Sequence, residues 1–168
     1  MDKKLVIVIN GRSGVGKASL IGIAAKQFAT RDVSSVDQVR RVAAAAGWNG
    51  QKDIPGRQLL SDLKQAMVAY DDSPHKTMMQ DYKVFKSGGE QLMFAHIREP
   101  REIEKFVADV KTEGGNIITV LVTRETADRM KLAQDEKLAE FPYNFVFKND
   151  KTLEDSGAEF VELIKRYL

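Results

Sequence analysis

Apolar positions along the chain follow two patterns. Three β-branched or aliphatic runs, Leu5 to Ile9, Leu92 to Ile97 and Ile117 to Val122, lack strict alternation with polar residues, as strands covered on both faces do. Shorter stretches at Val33 to Val36 and Phe145 to Phe147 predict two further strands. Elsewhere apolar residues recur at i, i+3, i+4 and i+7: Ile21, Ala24, Ala25 and Phe28; Leu63, Ala66, Met67 and Tyr70; Ile103, Phe106, Val107 and Val110; Phe160, Leu163, Ile164 and Tyr167. Each set predicts a helix that presses one stripe onto a sheet. An alanine-rich stretch, Val36 to Ala46, predicts another helix.

Punctuation agrees with this reading. Ser73-Pro74 predicts an N-cap followed by Pro at the first helical position, and Glu99-Pro100 opens the helix of Ile103. Gly88-Gly89 and Gly114-Gly115 stand just before the third and fourth strands, where helices must stop. Alternating strands and helices predict an α/β fold of three layers, α/β/α, with a five-stranded parallel sheet and right-handed crossovers. Residues 36 to 86 hold more helix than one crossover needs and predict an excursion on the substrate side. No repeat or linker divides the 168 residues, so a single domain is expected.

Composition narrows the chemistry. With 26 Lys and Arg against 24 Asp and Glu, the net charge of +2 makes no field that would draw in nucleic acid. There are no cysteines, which removes disulfides, thiolate metal sites and cysteine nucleophiles, and two histidines are too few for a multi-histidine centre. The apolar run behind Met1-Asp2-Lys3-Lys4 ends after five residues, too short for a signal peptide or a membrane span. A soluble, cytoplasmic protein without membrane partners is expected.

Directly after the first strand stands Gly11-Arg12-Ser13-Gly14-Val15-Gly16-Lys17-Ala18-Ser19, and the first amphipathic helix follows. The spacing is that of a phosphate-binding loop, in which glycines let backbone N–H groups converge on an anion at a helix N-terminus. In this role all nine residues bind ATP, with the Lys17 ammonium on the β- and γ-phosphates. The Ser or Thr that usually follows the Lys and holds Mg²⁺ is Ala18, so Ser19 is the metal-side hydroxyl, with Glu99 or Asp37 as a carboxylate partner. The other reading is a glycine-rich turn with a solvated Lys.

Gly-x-x-Gly-x-Gly-Lys-x-Ser resembles the loop of adenylate kinase and related nucleoside monophosphate kinases. The stretch His96-Ile97-Arg98-Glu99 and the C-terminal Phe141-Pro142-Tyr143-Asn144-Phe145-Val146-Phe147-Lys148-Asn149-Asp150 resemble a branch with phage deoxynucleoside monophosphate kinases and animal-type phosphomevalonate kinases. In that branch an acid stands where this chain has His96, and the C-terminal turn lies near the nucleotide base. The resemblance implies a P-loop NTPase fold and an ATP- and Mg²⁺-dependent kinase. The γ-phosphoryl group would pass to the phosphate of a small acceptor, a nucleoside or deoxynucleoside monophosphate before a non-nucleotide phosphate. A nucleotide-binding regulatory protein without turnover is the alternative, favoured by Ala18 and His96.

Phosphoryl transfer needs fixed positive charge on the moving group. Lys17, Arg98, Arg124 and Arg129 are the catalytic candidates: Arg98 and Arg124 follow the third and fourth strands, and Arg129 lies in the polar segment 123 to 140, which resembles a short lid. Ser35, Asp37, Arg40 and Arg57 are the candidates for the acceptor, since a phosphate suits a bidentate Arg. Ser35 and Asp37 also fit a plain helix cap, the arginines also fit solvated charges, and Trp48 fits either a base-stacking or a packing role.

Overall fold

The computed structural model describes residues 3–128 and 138–168. The chain runs β1 (Leu5–Asn10), α1 (Lys17–Ala24), β2 (Thr30–Ser34), α2 (Asp37–Ala45), α3 (Ile54–Asp71), α4 (Ser73–Ser87), β3 (Leu92–His96), α5 (Pro100–Thr112), β4 (Ile117–Thr123), α6 (Glu125–Asp128), β5 (Phe145–Lys148) and α7 (Leu153–Lys165). All strands pair in parallel, in the order β2-β3-β1-β4-β5. Every residue of β1 is buried, as a central strand under two helical layers must be. Leu5, Ile7 and Ile9 face α1 and α7, where Phe160 packs on Phe94 and Phe147. Val6 and Val8 face α4 and α5, against Tyr82, Phe85 and Phe106.

Several boundaries differ from the sequence reading, each for a physical reason. β2 spans Thr30–Ser34 rather than Val33 to Val36. It is an edge strand paired only with β3, and there polar residues cost little: Arg31 bonds Glu90 at 2.8 Å and Asp32 meets His96 at 2.7 Å. α1 ends at Ala24, and tighter i→i−3 bonds from Lys26 and Gln27 carry the chain to Phe28. The N-cap of α4 is Asp72, and Ser73 and Pro74 form its first turn.

The largest departure is α3. Leu63, Ala66, Met67 and Tyr70 do not press on the sheet: the helix packs on α2 and α4, and among its residues Gly56 alone is buried. Tyr70 is 89% and Ile54 84% exposed. Periodicity reports that a helix has an apolar side and does not say how deep that side lies. The three helices expected between the second and third strands are α2, α3 and α4.

Candidate active site

The turn from β1 into α1 is built on Asn10, which ends the first apolar strand. Its side chain is buried; Nδ2 donates to the Ile97 carbonyl (3.0 Å) and the Tyr143 hydroxyl (2.9 Å), and Oδ1 accepts the Gly11 N–H (2.9 Å). Burial pushes the Tyr143 phenol above its ordinary range, against the pull of the Asn10 bond, so the hydroxyl keeps its proton. Gly11 has φ 145°, and a Cβ there would stand 2.4 Å from the Val122 carbonyl oxygen. Gly16 caps α1 in the left-handed region (φ 90°), and its Cβ would stand 2.4 Å from Asn149 Nδ2. That amide donates to the Val15 carbonyl at 2.7 Å, while the Asn149 N–H donates to the Thr123 carbonyl at 2.8 Å. The loop is thus pinned by the ends of β3, β4 and β5 around an open helix N-terminus.

Within the loop Val15 is buried in the core, Arg12 and Lys17 are half-buried, and Ser13, Gly14, Ala18 and Ser19 are exposed. The Lys17 ammonium donates to the loop's own carbonyls at Gly11 and Arg12, so the charge sits over the concave side of the turn.

Beside Lys17 opens a cavity of about 490 Å³ at the C-terminal ends of β1, β2 and β3. This is where open α/β sheets take ligands, at the point where successive crossovers diverge from the central strand. β1 contributes Ile9 and Asn10; β2 and the turn after it contribute Asp32 to Asp37; Arg40 comes from α2, Lys64 from α3, and His96 to Glu99 from the end of β3. Four cations, Lys17, Arg40, Lys64 and Arg98, face three carboxylates, Asp32, Asp37 and Glu99. Ser35 is buried, its N–H donating to the His96 carbonyl at 3.0 Å. Asp37 accepts the Ser34 N–H (2.8 Å) and lies 3.3 Å from an Arg40 nitrogen; the N-cap of α2 is Val36, so neither Ser35 nor Asp37 caps it by side chain. Lys64 pairs with Glu102 at 2.8 Å.

The structure therefore gathers Lys17, Ser35, Asp37, Arg40 and Arg98 around one space. It does not bring Arg57 there: this exposed residue on the first turn of α3 donates from Nε to the Lys52 carbonyl at 2.9 Å. Arg124 is exposed just beyond β4, outside the cavity lining. Trp48 is half-buried in the turn between α2 and α3, its indole N–H donating to the Gln51 carbonyl at 3.1 Å. Arg129 and most of the expected lid lie outside the described residues. Among the described residues no three His, Asp or Glu side chains converge on a metal position. A phosphate-bound Mg²⁺ fits that donor set, since it takes one or two protein oxygens and completes its shell with phosphate and water. Ser19 on the exposed first turn of α1 and Glu99 in the cavity are oxygens of that kind.

No protein-family model matches the sequence, and no curated protein does. Solved structures do. A tunicamycin resistance protein of Deinococcus radiodurans superposes with a TM-score of 0.62 at 7% identity, covering 97% of this chain and 96% of that one. A Thermus thermophilus protein, TT1252, gives 0.54 at 16% identity over 99% of both chains, and an APS kinase of Mycobacterium tuberculosis gives 0.50 at 14%, over 98% and 99%. The chain has the P-loop NTPase fold. The loop and the cavity lie at the same end of the sheet. No helix among the described residues is long and apolar enough to cross a membrane.

Proposed function

We propose that this protein is an ATP- and Mg²⁺-dependent kinase that passes the γ-phosphoryl group to a small phosphate-bearing acceptor. The observation that carries the reading is the shared cavity: the loop lysine, the arginine beyond β3 and the arginine on α2 line one space of about 490 Å³, so donor and acceptor could meet without crossing the protein. The loop amides and Lys17 take the triphosphate, and Ser19 with Glu99 completes the metal's oxygen shell. Arg98 neutralises the transferring group, and Arg124 and Arg129 are further candidates for that charge. Arg40 holds the acceptor's phosphate, and Ser35 adds a hydroxyl. Water exclusion and positioning then supply the rate, since phosphoryl transfer asks for little covalent chemistry from protein.

The likeness of the loop and of residues 141–150 to nucleoside monophosphate kinases puts nucleoside and deoxynucleoside monophosphates first among acceptors. The APS kinase among its structural neighbours supports adding APS to the panel. A coupled assay of ADP release across such a panel tests the reading, with one acceptor expected to stimulate turnover. Arg98→Ala should lower kcat by about 100-fold, the scale for one preorganised charge on a transition state. An effect confined to the ATP KM would move Arg98 to the donor side. Ala18 and His96, which stand where a hydroxyl and an acid are usual, favour a second reading, a nucleotide-binding regulator; tight ATP binding with no stimulated turnover would select it.

A further inference from the structure

Asp32 and His96 line the cavity beside Lys17 and have no task in a transfer from phosphate to phosphate. They sit on neighbouring strands, Ser34 lying opposite His96 in the β2–β3 register and Asp32 two residues earlier on the same face. His96 Nε2 and Asp32 Oδ1 are 2.7 Å apart. Among the described residues Nδ1 of the same ring has no hydrogen-bond partner. The side chains are 30% and 52% exposed, and an ion pair that open to solvent adds little to stability. An imidazole held through one nitrogen by a carboxylate, in a ring that lines an open cavity, is instead the arrangement of a general base.

A base matters for one kind of acceptor only. A phosphate oxygen is already ionised at neutral pH, whereas an alcohol must lose its proton as the new bond forms. We propose that His96, oriented by Asp32, is the base of the acceptor site and that the accepting atom is a hydroxyl oxygen of a small anionic molecule whose charged group meets Arg40 or Arg98. The proposal rests on the kinase reading above and specifies its chemistry. The hydroxyl oxygen bonds to the γ-phosphorus, its proton passes to the free ring nitrogen, and the bond from the γ-phosphorus to the bridging oxygen breaks, its electron pair leaving with ADP. The imidazolium then faces Asp32 and returns the proton to water. Other charges around the ring are Lys17 of the loop, Asp37 and Arg40 of α2, Lys64 of α3, and Arg98 and Glu99 beyond β3; Asp32 is the one in hydrogen-bond contact.

The test uses ATP labelled at the γ-phosphate, with Mg²⁺ and three probes: AMP, ribose 5-phosphate and glycerol 3-phosphate. Brief hot acid separates the products, because a phosphate ester keeps the label and a phosphoanhydride releases it. Acid-stable label on a probe is expected. His96→Gln should then lower kcat at least 100-fold, as loss of a positioned base does, with the ATP KM unchanged. Asp32→Asn, nearly isosteric and expected to fold, should lower kcat at least 10-fold. Acid-labile label, or full turnover in both variants, overturns the proposal and leaves the kinase reading standing. If no probe accepts label, Lys17-dependent hydrolysis takes its place: loss of that hydrolysis in His96→Gln supports the base, and unchanged hydrolysis overturns it. No ATP consumption under any condition overturns the kinase reading and the base together.

Discussion

At the scale of single residues, Asn149 bridges the two ends of the chain. One amide holds the Val15 carbonyl and fills the space a Cβ on Gly16 would need. Asn149→Asp replaces a donor with an oxygen facing that carbonyl, which should cost about 1 to 3 kcal/mol, the penalty for a buried group left unpaired. Urea melts should report the loss, and ATP affinity should fall with it. Lys17→Ala makes the contrasting case: its ammonium donates to the loop carbonyls of Gly11 and Arg12 and its side chain is not among the buried core, so the variant should melt near the parent protein while its ATP-supported turnover disappears. The turn of Gly11, Gly16 and Lys17 was legible in the sequence because its glycine spacing lies within nine residues. Asn10, Tyr143 and Asn149 were not, since their bonds span 87, 133 and 134 positions and leave no periodic trace. His96 stood out by occupying an acid's place; that Asp32 is its partner follows from strand order alone.

At the scale of elements, the sequence marks where helices exist better than where they lie. Glu99-Pro100 opened α5 as expected, whereas the stripe of α3 pointed away from the sheet. Helix ends depend on distant groups in the same way. Lys4, ahead of β1, donates to the carbonyls of Phe85 (3.0 Å), Gly88 (2.8 Å) and Glu90 (2.6 Å), and so closes the C-terminus of α4 with a cation. Lys4→Met should lower stability by about 2 kcal/mol, within the range for hydrogen bonds to a charged group, visible as a drop in Tm. Next to it, the Glu90 carboxyl is held below the usual carboxylate range, first by its own backbone N–H and then by Arg31 and Lys4. A carboxyl whose folded value is lowered adds stability above its unfolded value and loses it as pH falls through the folded one. Arg31→Met should therefore reduce Tm at pH 7 more than in acid, and a parallel loss at both pH values would show that the charge pair contributes nothing.

At the scale of the molecule, the order β2-β3-β1-β4-β5 sets the loop beside the cavity. A ligand that binds only the folded chain stabilises it, by about 2.7 kcal/mol at a concentration 100 times its Kd. For a chain of this length that is a rise of roughly 5 to 10 °C in Tm. ATP with Mg²⁺ should give such a rise in a thermal scan, and Lys17→Ala should lose most of it; no rise in the parent protein would remove nucleotide binding from the account.

The position of α3 has a consequence for how such a molecule can diversify. It sends Lys64 into the cavity while burying none of its residues but Gly56. Substitutions along its outer surface therefore escape the packing constraints that hold the central strands. The loop on one side of Lys17 is locked, by the Val122 carbonyl against Gly11 and the Asn149 amide against Gly16, whereas the cavity on the other side is bordered by a helix free to drift. Descendants of this sequence can be expected to keep the loop and vary the far wall of the cavity.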